Sequence, residues 1–194
     1  LPGNKSAPLL WIAARQGHVG LIDALLESGA DVDQAKANGC TPLFIAAENG
    51  HLAVVTKLVA AGADIDKAMT TDGCTPLYIA AQNGHLTVVT KLIAAGADVN
   101  KARTTDGWTP LFIAAQNGHL TVVTKLIAAG ADVDKARTDY GCTPLWIAAQ
   151  EGHTAIVSKL LQHGADKSIR GWQNRTPLEQ AQLQNHAAIV ALLA

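Results

Sequence analysis

Thr109–Cys142 reads TPLFIAAQNGHLTVVTKLIAAGADVDKARTDYGC, and the stretch before it, Thr75–Trp108, reads TPLYIAAQNGHLTVVTKLIAAGADVNKARTTDGW. They differ at five positions: Tyr78/Phe112, Asn100/Asp134, Thr105/Asp139, Asp106/Tyr140 and Trp108/Cys142. Copies this close make the chain an array. Its fold follows from what one unit can do and how units stack.

One unit carries its own folding signals. Thr109 suits an N-cap, and Pro110 suits the first helical position, where its missing N–H costs nothing. Leu111, Ala114 and Ala115 share one face of the helix that follows, and Gly118 ends it in a left-handed turn. His119 leads into a second helix, Leu120–Ala129, with Val123, Leu126 and Ile127 as its apolar stripe. Gly130 stops that helix, and Ala131–Gly141 is a polar finger rich in turn residues. Helices of about ten residues are unstable alone in water, so the units must stack on one another.

The histidine before each second helix marks the register: His18, His51, His85, His119, His153 and His186, spaced 33, 34, 34, 34 and 33. The longer units place the extra residue in the finger, where a loop tolerates it. Pro8 aligns with Thr41 rather than Pro42, so the first unit's cap is irregular. The last unit replaces the Ile-Ala-Ala of the others with Gln180-Ala181-Gln182. Terminal units that differ are expected, because one face meets water. The N-terminus, LPGNKSAPLL, lacks a charged-then-apolar leader pattern and reads as a trimmed edge.

TPL followed by an aromatic, then I-A-A-x-x-G-H, then G-A-D-V-D/N, resembles the ankyrin repeat, whose consensus is T-P-L-H-x-A at a period of 33. The resemblance recurs six times and covers nearly the whole chain. Two features depart from the family. Its usual His after TPL is replaced by Trp11, Phe44, Tyr78, Phe112, Trp146 and finally Glu179, and the middle units are one residue longer. The resemblance implies an all-α solenoid of stacked helix-turn-helix units with β-hairpin fingers. It would form one domain over residues 1–194, with repeats near 6–40 (N-terminal cap), 41–74, 75–108, 109–142, 143–175 and 176–194 (C-terminal cap). It also implies protein binding through the concave surface of fingers and first helices.

Composition narrows the partners. The chain of 194 residues is 48% hydrophobic, enough for a continuous core. Its net charge is −1, from 15 basic and 16 acidic residues, which favours neither nucleic acid nor an anionic membrane. The finger cations Lys67, Lys101, Arg103, Lys135, Arg137 and Arg170 are interleaved with aspartates, so local neutralisation is expected. No apolar run reaches the roughly 18 residues of a bilayer span.

Cys40, Cys74 and Cys142 all fall just before TPL. Equivalent atoms in stacked helices lie about 8–10 Å apart. A disulfide needs Cα atoms within about 7 Å, so these thiols should stay reduced. That fits an intracellular compartment, cytoplasmic or nuclear.

The histidine series does not read as a metal array. Successive rings are expected about 10 Å apart, whereas a zinc ligand sits about 2 Å from its ion. Each His is expected to fix the turn into its second helix. The serines, Ser6, Ser28, Ser158 and Ser168, are scattered, and no nucleophile–base–orienter set or phosphate loop is present. No catalysis, cofactor or metal is expected.

The aromatics carry more information. Five form the first-helix ladder; Trp108, Tyr140 and Trp172 lie in fingers. At helical spacing Phe44 shares a face with Glu48, Tyr78 with Gln82, Phe112 with Gln116 and Trp146 with Gln150. The ladder fits a recognition surface, and equally a stack of rings between units. For Trp108 and Tyr140 binding is favoured, because a polar finger offers little core. The candidate contact set is Phe44, Glu48, Met69, Cys74, Tyr78, Gln82, Arg103, Thr105, Asp106, Trp108, Phe112, Gln116, Arg137, Asp139, Tyr140, Trp146 and Gln150. The expectation is a monomeric protein-binding module; the alternative is a structural spacer with an empty groove. Near-identity of the units suits recent duplication or a consensus-designed array.

Overall fold

The structure, a computed structural model, describes residues 8–194. Ser6 and the start of the first unit lie outside the described residues. Twelve α-helices are found among the described residues, in six pairs. They are α1 (Leu9–Gln16) with α2 (Val19–Glu27), α3 (Pro42–Glu48) with α4 (Leu52–Ala60), and α5 (Pro76–Gln82) with α6 (Leu86–Ala94). The array continues with α7 (Pro110–Gln116) and α8 (Leu120–Ala128), α9 (Pro144–Gln150) and α10 (Thr154–Gln162), and α11 (Pro177–Leu183) and α12 (Ala187–Leu193). Odd-numbered helices stack in one row and even-numbered helices in a second, each pair bridging the rows. This is the helical solenoid implied by the repeat pattern.

The caps form as the residues dictate. The hydroxyls of Thr41, Thr75, Thr109 and Thr143 each accept the backbone N–H three residues on, and each proline sits in the first helical turn. Thr176 and Glu179 complete a reciprocal capping box. Pro8 precedes α1 with no side-chain cap bond, the irregular start its alignment predicts. Paired alanines, such as Ala80-Ala81 and Ala114-Ala115, are fully buried, so helices approach closely. Val88, Val89 and Leu92 supply the apolar side of α6 with no exposure. Burial of one such leucine is worth about 1.5–3 kcal/mol.

Two expectations need correction. Among the described residues there is no strand, so the fingers are not β-hairpins. A finger closes on one or two backbone bonds, such as Arg103 N–H to Trp108 O at 2.9 Å and Gly107 N–H to Arg103 O at 3.1 Å. Adjacent fingers share one more, Thr104 N–H to Asp72 O at 2.9 Å. Turn residues fill each finger tip and leave no run long enough for a ladder.

The histidines also act differently from expectation. None makes a side-chain cap bond at its own turn. From His51 onward, each reaches back to the preceding unit: His119 Nε2 lies 3.0 Å from Gln82 O, and His85 Nε2 3.0 Å from Glu48 O. A carbonyl only accepts, so Nε2 carries the proton. The imidazole occupies space over the preceding glycine. A Cβ on Gly84 would come within 2.7 Å of the His119 ring. The ladder is therefore a row of bolts between units.

A second row of bolts runs through the fingers. Asp98 N–H donates to the Asp66 carboxylate at 3.1 Å, Asp132 N–H to Asn100 Oδ1 at 2.8 Å, and Asp166 N–H to Asp134 Oδ1 at 2.9 Å.

Candidate protein-binding surface

The first helices and fingers border two open hollows. One, of about 550 Å³, runs past Trp11, Arg15, Lys36, Glu48, Asp72 and Arg103. The other, of about 360 Å³, lies among Gln116, Arg137, Tyr140, Trp146, Gln150 and Trp172.

The first-helix rings are buried beneath this face. Tyr78 and Phe112 are 1% exposed, and Trp11, Phe44 and Trp146 are buried with them. Direct contact with a partner, which the place of Phe44, Tyr78, Phe112 and Trp146 in the candidate set expects, does not fit that burial. They fill the space between units in place of the family's histidine. Their polar edges are used internally: Trp146 Nε1–H donates to Arg175 O at 2.9 Å, and Trp11 Nε1–H to Cys40 Sγ at 3.2 Å. Their helical partners Glu48, Gln82, Gln116 and Gln150 are half-buried along the same edge.

Between the hollows stands Trp108. It occupies the position that holds Cys40, Cys74 and Cys142 in other units, so a large ring replaces a small buried thiol. The ring packs on Phe112, centroids 5.1 Å apart. Arg103 and Arg137 cover it, with guanidinium carbons 5.6 and 4.6 Å from its centroid. The same guanidinium groups lie over Tyr78 at 5.5 Å and Tyr140 at 5.4 Å. Ring and cation thus alternate from Tyr78 through Arg103, Trp108 and Arg137 to Tyr140. Each such contact is worth about 0.5–2 kcal/mol. The Nε atoms of Arg103 and Arg137 and the Nε1 of Trp108 are buried without a conventional acceptor.

Carboxylates hold the cations in place. Arg103 lies 3.5 Å from Asp106 and 3.8 Å from Asp72, Arg137 pairs with Asp139, and Arg170 lies 3.0 Å from Glu179. Lys101 Nζ donates to Asp66 O at 3.1 Å. Burial pushes the Cys74 thiol up to about 12, reinforced by the hydrogen bond it donates to Asp72 at 3.1 Å. Burial alone would raise Asp72. The Cys74 N–H and S–H bonds and the Arg103 charge instead carry it below the ordinary carboxylate value. Burial also pushes the Tyr78 hydroxyl up to about 12, against the pull of Arg103. A thiol held this firmly protonated is inert as a nucleophile at neutral pH.

Of the other expected contact residues, Met69 and Asp106 are half-buried, Cys74 is buried, and Thr105, Asp139 and Tyr140 are exposed. The hollows bring together Glu48, Met69, Cys74, Gln82 and Arg103 on one side, and Gln116, Arg137, Tyr140, Trp146 and Gln150 on the other. Trp11, Arg15, Lys36 and Trp172 line them as well and were not in the expected set. Register could have found two of these: Arg15 aligns with Glu48, and Lys36 with Met69 and Arg103.

All three cysteines are unbridged. Among the described residues no cluster of three or more His, Cys, Asp or Glu has metal-binding geometry. No helix among them is long and apolar enough to cross a membrane. A family model described as ankyrin repeats matches three times, over residues 3–69, 66–137 and 134–194. Comparison with curated proteins finds no match.

Proposed function

The chain belongs to the ankyrin-repeat family, and we propose that it is a protein-binding module that recognises its partner on the concave surface of fingers and first helices. Ankyrin repeats are in general protein-interaction modules. The observation that carries the reading to this face is internal. The two near-identical units differ only in the fingers and at the aromatic beneath them, and not at all in the second helices. Those differences create the Trp108 ridge and place Tyr140 on its flank. The whole chain acts as one repeat domain, from its N-terminal to its C-terminal cap. It works as a monomer without catalysis or cofactor, and its partner is protein rather than nucleic acid or membrane. Its three reduced, buried thiols suit a cytoplasmic or nuclear setting.

The experiment compares two truncations. A partner is captured by crosslinking and its affinity is measured for Trp108→Ala and Lys125→Ala, once both variants retain wild-type helicity. Trp108→Ala should weaken binding by about tenfold or more, as loss of a central aromatic does. Lys125→Ala, on α8, should leave it within about twofold. The reverse pattern would put the interface on the second helices.

A further inference from the structure

The two hollows offer different chemistry. In the larger one, Lys36 and Arg15 both stack on the Trp11 ring, 4.5 and 5.8 Å from its centroid. Neither takes part in an ion pair among the described residues. Arg103 and Asp72, which also line this hollow, are held to each other. Two cations then face a single carboxylate, Glu48, and the hollow keeps a positive balance.

The smaller hollow is aromatic. Tyr140 is 54% exposed and Trp172 is 45% exposed, and they are the only exposed Phe, Tyr or Trp among the described residues. They come from different fingers, yet both line this hollow over Trp146 and Ile147. A specific backbone path puts Trp172 there. Gly171 packs so closely that a Cβ would meet Cys142 Sγ at 2.9 Å and the Trp146 ring at 3.0 Å. Trp172 N–H donates to Cys142 Sγ at 3.3 Å. Gln173 and Asn174 beyond it both hold a left-handed φ of 57°, a conformation costly for non-glycine residues and common at ligand-binding segments. The side-chain amide of Gln116, on the rim, has no hydrogen-bond partner among the described residues.

We propose that the two hollows receive one extended segment of a partner protein, an acidic side chain seated between Arg15 and Lys36 and a large apolar side chain between Tyr140 and Trp172. This deepens the protein-binding reading and rests on it. Charge complementarity selects the acid. The apolar group removes two exposed rings from water, and aromatic partners add their own pairing energy. Lys36 and the Tyr140–Trp172 pair are three to four units apart. At the usual helix spacing this is roughly 30 Å, or about ten residues of extended chain. The Trp108 ridge lies under the middle of that path.

The test pans the intact array against a phage-displayed library of random linear peptides long enough to span both hollows. Enriched sequences should carry Asp or Glu and a large apolar residue about ten positions apart. A synthetic peptide of the enriched sequence should bind about tenfold more weakly to Lys36→Glu and to Trp172→Ala. Replacing its acidic residue by Lys should restore binding to Lys36→Glu, which a folding defect could not produce. Enriched peptides without the acid–apolar pair, or unaffected by both variants, overturn the proposal. If they still respond to Trp108→Ala, the concave-surface reading survives while this one falls. Enrichment of nothing excludes the extended segment as occupant, and crosslinked capture of a folded partner then judges the broader reading alone.

Discussion

Cys74 shows how much one position decides. Its thiol is held protonated by burial and by the Asp72 carboxylate, up to about 12 from an ordinary 9.0. The folded state therefore binds this proton more tightly than the unfolded chain. The resulting stability is complete below the unfolded value and is lost as pH rises from there toward about 12. Tyr78 adds a contribution of the same sign. Thermal unfolding followed across pH 8 to about pH 10.5 should show a steeper fall in Tm for the wild type than for Cys74→Ala. Identical slopes would mean that the thiol is not held as the structure has it. In the sequence Cys74 is visible as one of three thiols too far apart to bridge and as a candidate contact residue, but not as a thiol bonded to a carboxylate. Its hydrogen bond to Asp72 depends on how the finger folds back, which periodicity does not encode. Trp108 was legible as unusual. That it stands where other units keep a thiol is also plain from the register, but its sandwich between Arg103 and Arg137 needs the packing of two adjacent fingers.

At the scale of the element, helices and caps follow from the sequence because their causes are local. Thr109 and Pro110 start α7, and left-handed Gly118 closes it, with φ 77°. The fingers and histidines do not follow, because their partners lie one unit away and at least 30 residues distant in sequence. His119 could be placed at its turn by spacing alone; only the stack shows that its ring spans to Gln82 O and covers Gly84. This coupling is measurable. Gly84→Ala adds a strained φ and a contact with the ring, whereas Gly96→Ala, at φ 94° with open space around it, adds the strain alone. The first should cost more than the second by about 1 kcal/mol or more in urea unfolding. In a His119→Ala background the excess should disappear, leaving a coupling of about 0.5–3 kcal/mol. Equal costs for the two glycines would remove the bolt from the account.

For the whole molecule, the repeat pattern specified the solenoid, while the binding face had to be read from where near-identical units diverge. The buried ladder explains why composition alone misleads here. Five rings repeated at one position look like a surface, yet each fills the gap beside the next unit. The rings that stay exposed beside the Trp108 ridge are Tyr140 and Trp172, which lie in the fingers rather than in a first helix. Amide hydrogen exchange of the array, alone and with its captured partner, reads out which face the partner covers. Added protection is expected in the fingers at 101–107 and 135–141 and in 171–175, with α6 and α8 unchanged. Added protection confined to α6 and α8, with the fingers exchanging as freely as before, would contradict the concave-surface reading.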